Sequence, residues 1–147
     1  MTTSISEIRK DFPLLMSNDV IYLDTAATSQ KPSCVLEAER TFYEKYNANP
    51  LRGLYELGEA ATEKYEEARE TVREFLNARE AAEIVFVRNA TEGLNLVAYS
   101  FGSLVLKPGD EILVSIMEHH SNLLPWQQAA ARTGAVVKYL ECTEDGK

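Results

Sequence analysis

Both histidines of the chain, His119 and His120, stand side by side in "SIMEHHSNLLPWQ". Imidazole changes charge near neutral pH, so it can carry protons, and its flat ring can stack on an aromatic ligand. An apolar run precedes the pair and a helical pattern follows. On a strand end, side-chain alternation would turn one ring toward a ligand crevice and the other away. No cysteine or carboxylate cluster at metal spacing stands beside them, so no metal site is expected. The pattern is equally compatible with a histidine that caps or packs at the strand end.

A second stretch, "RNATEG" (Arg88 to Gly93), places Asn and Thr at the start of a helical pattern. Free amides at a helix start, the dipole there and the Thr91 hydroxyl together favour a phosphate. Asn89 or Thr91 acting only as a helix cap is the alternative, since no Gly-rich loop or Walker-type lysine accompanies them. A third stretch, "YLDTAATSQKP" (Tyr22 to Pro32), sets small residues after a short predicted strand, where a backbone could approach a ligand closely. An ordinary turn before a helix explains it as well.

These stretches need elements to position them. "SQKPSCVLEAERTFYEKYN" and "EAATEKYEEARETVREFLNA" carry apolar residues at helical spacing, with Pro32 suited to the first turn of the former. The loop "NANPLRG" lies between them. From Ile84 to Val87 a β-branched run predicts a strand, followed by a helix through Leu94, Val97, Ala98 and Phe101. A turn at Pro108 to Asp110, a strand over Ile112 to Ile116, a helix from about Asn122 to Arg132, a stop at Gly134 and a strand over Ala135 to Leu140 complete the pattern. Apolar strands alternating with amphipathic helices predict an α/β fold with a mostly parallel sheet, whose ligands gather in the loops that lead into helices.

Composition narrows the function classes. The chain has 147 residues, 45% hydrophobic and 26% charged, with a net charge of −8 and no basic stripe to neutralise a phosphate backbone. Nucleic acid is not an expected partner. No apolar run approaches the ~20 residues of a membrane span, and the N-terminus does not have the pattern of a secretory signal. A cytoplasmic location without membrane association is expected, where Cys34 and Cys142 would remain thiols.

In order and spacing, "YLDTAATSQKP", "NANPLRG", "FVRNATEGLNLVA", "KPGDEILVSIMEHHSNLLPWQ" and "GAVVKYLE" resemble the front portion of class V aminotransferase-fold enzymes. The likeness is greatest to cysteine desulfurases of the selenocysteine-lyase-like group. It implies a homodimeric fold type I transferase that uses pyridoxal 5′-phosphate (PLP) to convert L-cysteine to L-alanine. The sulfur would be held as an enzyme persulfide and passed to a protein acceptor, as in iron-sulfur cluster assembly. On matching positions, the resemblance puts Ala90 and Thr91 on the cofactor phosphate and His119 on the pyridine ring, with His119 also a candidate proton carrier. It puts Ala26, Ala27 and Arg52 near the substrate, and leaves His120 as scaffold.

The sequence departs from the family pattern in two places. Leu51 stands before Arg52 and Gly53 where relatives often carry a histidine. The pattern also stops less than halfway, so residues 1–50 read as an N-terminal segment that belongs partly to a small domain, and 51–147 as the first, incomplete portion of a PLP-binding large domain. The lysine that holds PLP as a Schiff base and the persulfide cysteine have no counterpart among the motifs present. The chain alone is therefore expected to be an inactive, truncated piece. A selenocysteine lyase, a kynureninase-like hydrolase or an epimerase of the same fold is an alternative parent, and a non-catalytic phosphate-binding or dimerisation fragment is an alternative of another class.

Overall fold

The computed structural model describes residues 4–51 and 53–146. They form two compact units, Met1–Ile84 and Val85–Lys147. The first unit is helical. Ser4 caps α1 (Ile5–Lys10), its hydroxyl accepting from the Glu7 amide at 3.3 Å, and Pro13 opens α2 (Pro13–Ser17) at a position where its missing N–H costs nothing. Helix α3 (Ser33–Lys45) begins after Pro32, which is its N-cap. The Ser33 amide donates to the Asp11 carbonyl at 2.7 Å, tying α3 to the end of α1.

The longest element, α4 (Glu56–Leu76), turns Gly58 and Ala61 inward and lines its outer face with Glu66–Arg69 and Glu70–Arg73 pairs. Such pairs one turn apart stabilise a helix by roughly 0.2–0.5 kcal/mol each. Asn77 ends the helix in the left-handed region. The same arginines reach onward: Arg69 donates to the Ile84 carbonyl, and Arg73 to that of Ala78 at 2.9 Å. The chain leaving α4 is thereby held against it.

In the second unit, α5 (Ala90–Val105) precedes a β-α-β crossover of β1 (Glu111–Ser115), α6 (Leu124–Thr133) and β2 (Val136–Leu140). The strands are parallel, with Ile112 opposite Val137 and Val114 opposite Tyr139. Alternation along β1 turns Ile112 and Val114 into a core with Ala130 and Ala135, against which Leu106, Leu123 and Trp126 pack. Small residues let α5 approach α6: Ala98, Gly102 and Ala129 are buried, and a Cβ at Gly102 would lie 3.8 Å from both the Ala129 Cβ and the Trp126 ring. Arg132 of α6 stacks 5.1 Å from the Tyr99 ring of α5 and donates to the Ala98 carbonyl at 3.4 Å.

The fold is α/β, as expected, but with fewer strands among the described residues than the pattern predicts. Residues 84–87 are not a strand, and neither is the segment before Thr25. Ile84 has extended backbone angles, φ −96° and ψ 118°, yet no described strand lies beside it to complete a hydrogen-bonded ladder. The histidine pair also lies beyond the strand rather than at its end. β1 stops at Ser115, because the Ser115 hydroxyl accepts from the Met117 amide at 3.0 Å and its carbonyl from the Glu118 amide at 3.3 Å, closing a turn. His120 then opens a 3-10 turn, His120–Asn122.

Gly134 closes α6 with φ 77°, and a Cβ there would stand 3.2 Å from the Pro108 Cβ. Gly134→Ala should therefore destabilise the second unit by about 1–2 kcal/mol, the cost of holding an L-residue left-handed. Denaturant unfolding checks this, and an unchanged midpoint refutes it. Among the described residues no large side chain is fully buried, while Leu54, Leu23, Phe75, Ile21 and Leu104 are each more than four-fifths exposed. That much apolar surface should make the 147-residue chain associate in solution. Sedimentation giving a monodisperse monomer at micromolar concentration would contradict it.

Candidate functional site

The start of α5 is built to leave two amides open. Asn89 caps the helix, its Oδ1 accepting from the Glu92 amide at 2.9 Å, and the Gly93 amide reaches the Asn89 carbonyl at 3.2 Å. That satisfies the third and fourth N–H groups of the helix start. The amides of Ala90 and Thr91, and the Thr91 hydroxyl, have no hydrogen-bond partner among the described residues. Capping and anion binding are thus compatible here, since Asn89 performs the first and leaves Thr91 free for the second.

Glu92 would oppose an anion, but it is engaged. Its carboxylate accepts from the Arg88 amide at 2.6 Å and from the Arg88 guanidinium at 3.2 Å through both Nε and Nη2. The guanidinium contact, then the amide contact, holds its carboxyl below the ordinary glutamate value of 4.5. The ion pair leaves the helix start without net charge while keeping the dipole.

Thr91 and Asn95 on α5 share a cleft of about 340 Å³ with His119, His120 and Ser121 of the turn and Gln128 of α6. Leu124 and Pro125 form its apolar wall. The volume lies at the lower end of the range for small-molecule sites. Both imidazoles line it, with ring centroids 6.2 Å apart and planes at 64°. The expectation that one ring faces away rested on strand alternation, and the turn after Ser115 removes that alternation.

The loop carrying the rings is fastened from behind. Trp126 Nε1 donates to Asn122 Oδ1 at 3.0 Å, and Asn122 Nδ2 donates to Glu118 Oε2 at 2.8 Å. An indole can only donate, so it fixes which way the Asn122 amide points. Sequence reasoning passed over this chain, although its signal was visible: Glu118, Asn122 and Trp126 are spaced by four. It also passed over Ser121, Asn95 and Gln128.

The other sequence-predicted residues belong to the first unit. Ala26 and Ala27 sit in a tight turn closed by the amides of Ala27 and Thr28 on the Asp24 carbonyl, both at 3.1 Å. The Tyr22 hydroxyl braces it by donating to the Thr28 carbonyl at 2.5 Å. Arg52 lies outside the described residues. Beside it, Leu51 has φ 68° and donates its amide to Thr62 Oγ1 at 2.9 Å, while Gly53 packs so closely on α4 that a Cβ there would fall 2.7 Å from the Gly58 Cα. Among the described residues no three His, Cys, Asp or Glu side chains converge as metal ligands, and no helix is long and apolar enough to cross a membrane.

Comparison with known proteins places this arrangement in a family. Residues 21–147 match the aminotransferase class-V family model, and the chain belongs to that family. It is 53% identical over 141 residues to a "Probable cysteine desulfurase" of Synechocystis sp., covering 93% of this chain and 34% of that protein. It is 49% identical over 144 residues to one of Halalkalibacterium halodurans, covering 95% and 36%. Among solved structures it resembles the apo cysteine desulfurase of Thermococcus onnurineus NA1, with a TM-score of 0.90, 44% identity, and coverage of 100% of this chain and 36% of that one. The chain thus spans about a third of the length of the relatives it matches.

Because Arg88 lowers the Glu92 pKa, the contact stabilises the fold above the unfolded carboxylate value and is lost as pH falls through the lower folded value. Glu92→Gln should therefore be less stable than the parent chain near neutral pH, with the difference shrinking as the pH falls below the ordinary glutamate range. Thermal midpoints of the two proteins from pH 7 to 3 test this, and a constant difference would contradict it.

Proposed function

We propose that these residues serve a PLP-dependent cysteine desulfurase, which takes sulfur from L-cysteine, leaves L-alanine, and works in the cytoplasm as a homodimer. The observation that supports it most is a cleft in which Thr91, its amide and hydroxyl at the start of α5 unpartnered among the described residues, shares the space with the flat His119 ring. A phosphorylated pyridine needs both features. Ala90 and Thr91 hold the phosphate through their amides and the Thr91 hydroxyl, with the dipole of α5 worth roughly 0.3–1 kcal/mol more. His119 covers the ring, and the apolar wall of Leu124 and Pro125 keeps water from one side of the cleft.

When bound, PLP supplies an electron sink for bonds at the substrate's α-carbon. The protein's own residues bind and orient. By the resemblance, Ala26 and Ala27 would contribute a turn without bulky side chains near the substrate carboxylate, and Arg52 a positive charge near the active-site mouth. No lysine of the described residues lines the cleft. By the resemblance, the lysine that anchors PLP, the thiol that receives sulfur as a persulfide and the contact with a sulfur acceptor in iron-sulfur assembly belong to family motifs other than those these residues match. In the whole enzyme residues 1–50 belong partly to a small domain, and 51–147 begin the PLP-binding large domain.

A full-length protein carrying this sequence, given L-cysteine, PLP and a reductant, should release alanine and sulfide in equal amounts. His119→Ala should lower turnover by about 100-fold or more, the range for losing a positioned acid-base group, and shift the absorbance of bound PLP. No alanine from PLP-loaded protein would refute the desulfurase reading. An unchanged spectrum and rate in His119→Ala would refute the role of the ring alone.

A further inference from the structure

We infer that the backbone amide of Ser121 fixes the neutral His119 ring with its proton on Nε2, which makes Ser121 the positioning residue for that ring. The Ser121 N–H donates to His119 Nδ1 at 3.1 Å, so His119 acts as the side-chain cap of the 3-10 turn His120–Asn122. An amide can only donate. It requires a lone pair on Nδ1, and in a neutral imidazole that sends the single proton to Nε2.

The Ser121 hydroxyl lies 2.9 Å from the same nitrogen. Its hydrogen rotates freely, so it adapts to whichever partner the fixed amide dictates. Were Nδ1 protonated, the amide would face another donor and lose its partner, since no other acceptor for it is present among the described residues. Nε2 has no hydrogen-bond partner among the described residues and remains available to the cleft.

The consequence rests on the reading of His119 as the ring that covers the cofactor; the test does not. A neutral ring of this tautomer offers the cleft a donor and has no lone pair there to take a proton. A proton can enter only at Nδ1, which breaks the Ser121 contact and gives an imidazolium with a donor on both nitrogens. At rest His119 orients its ligand, and any proton carried through it is coupled to release of the turn cap.

With only two histidines, the 147-residue chain bearing 15N-labelled histidine gives two sets of ring signals, and His120→Gln identifies those of His119. Above the pH at which the rings are neutral, the His119 proton should correlate with Nε2. Solid-state spectra read the same tautomer if the chain associates. Ser121→Ala keeps the amide and should leave the tautomer unchanged, whereas His119→Ala should speed exchange of the Ser121 amide about fivefold, the factor a cap of ordinary strength supplies. A proton on Nδ1, a tautomer that switches in Ser121→Ala, or a Ser121 amide indifferent to His119→Ala would each overturn the assignment. Loss of cysteine turnover in the full-length protein would leave all three readings unmoved.

Discussion

The hydrogen bond from the Trp126 indole to Asn122 joins the packing of the second unit to its chemistry. The Trp126 ring packs on the core formed by β1, Ala130 and Ala135, and fills the space that Gly102 leaves open on α5. Its N–H must find an acceptor as the ring becomes partly buried, and Asn122 is that acceptor. Once its carbonyl is taken, the Asn122 amide can only donate, and it holds Glu118, the residue before His119. The turn that carries the two rings is therefore tied, through Asn122 and Glu118, to the packing of Trp126 on the core. A Cβ at Gly102 would meet Leu106 Cδ1 at 3.5 Å and the Trp126 ring at 3.8 Å, ordinary contact distances.

A second constraint governs the opposite wall. The first amides of any helix need partners from outside it, and α5 satisfies only part of that need internally. Asn89 takes the Glu92 amide, while Arg88 takes the Glu92 carboxylate, which would otherwise cancel the positive end of the helix. What remains is a neutral rim with two donors and a hydroxyl. The wall across the cleft is assembled by the same logic, because the 3-10 turn His120–Asn122 is capped by the His119 ring itself. Each side of the cleft is thus a helix start: one leaves its amides for a ligand, and the other uses an amide to set a side chain.

Much of this was legible in the order of residues. The 3.6-residue period located α3 to α6, and Gly134 marked the stop of α6. The roles of Ala90, Thr91 and His119 came instead from the resemblance to the family, since spacing alone left Thr91 equally a helix cap and His119 equally a packing residue. The misreadings have a common cause. Hydrophobic runs mark where a strand could form, but a ladder needs a neighbour, and residues 84–87 have none among the described residues. The apolar run through Ile116 likewise conceals that the Ser115 hydroxyl and carbonyl end β1 early. Local polar contacts of this kind leave no periodic trace. For that reason the shared orientation of His119 and His120, and the roles of Ser121 and Asn122, emerged only with the coordinates.

The exposure of the cleft sets the scale of what it can do by itself. Thr91, His119 and His120 are all exposed, so water screens the dipole of α5 and competes for the two free amides. The same amides and dipole in a water-excluded site act through a lower dielectric and strengthen several-fold without any change of residue. The apolar side chains left in solvent around α5, Leu96, Phe101 and Leu104 among them, call for a cover on hydrophobic grounds alone. A surface that buried them could also close the cleft. Hydrophobic burial and electrostatic binding strength are in that sense one requirement, met together by whatever surface covers α5.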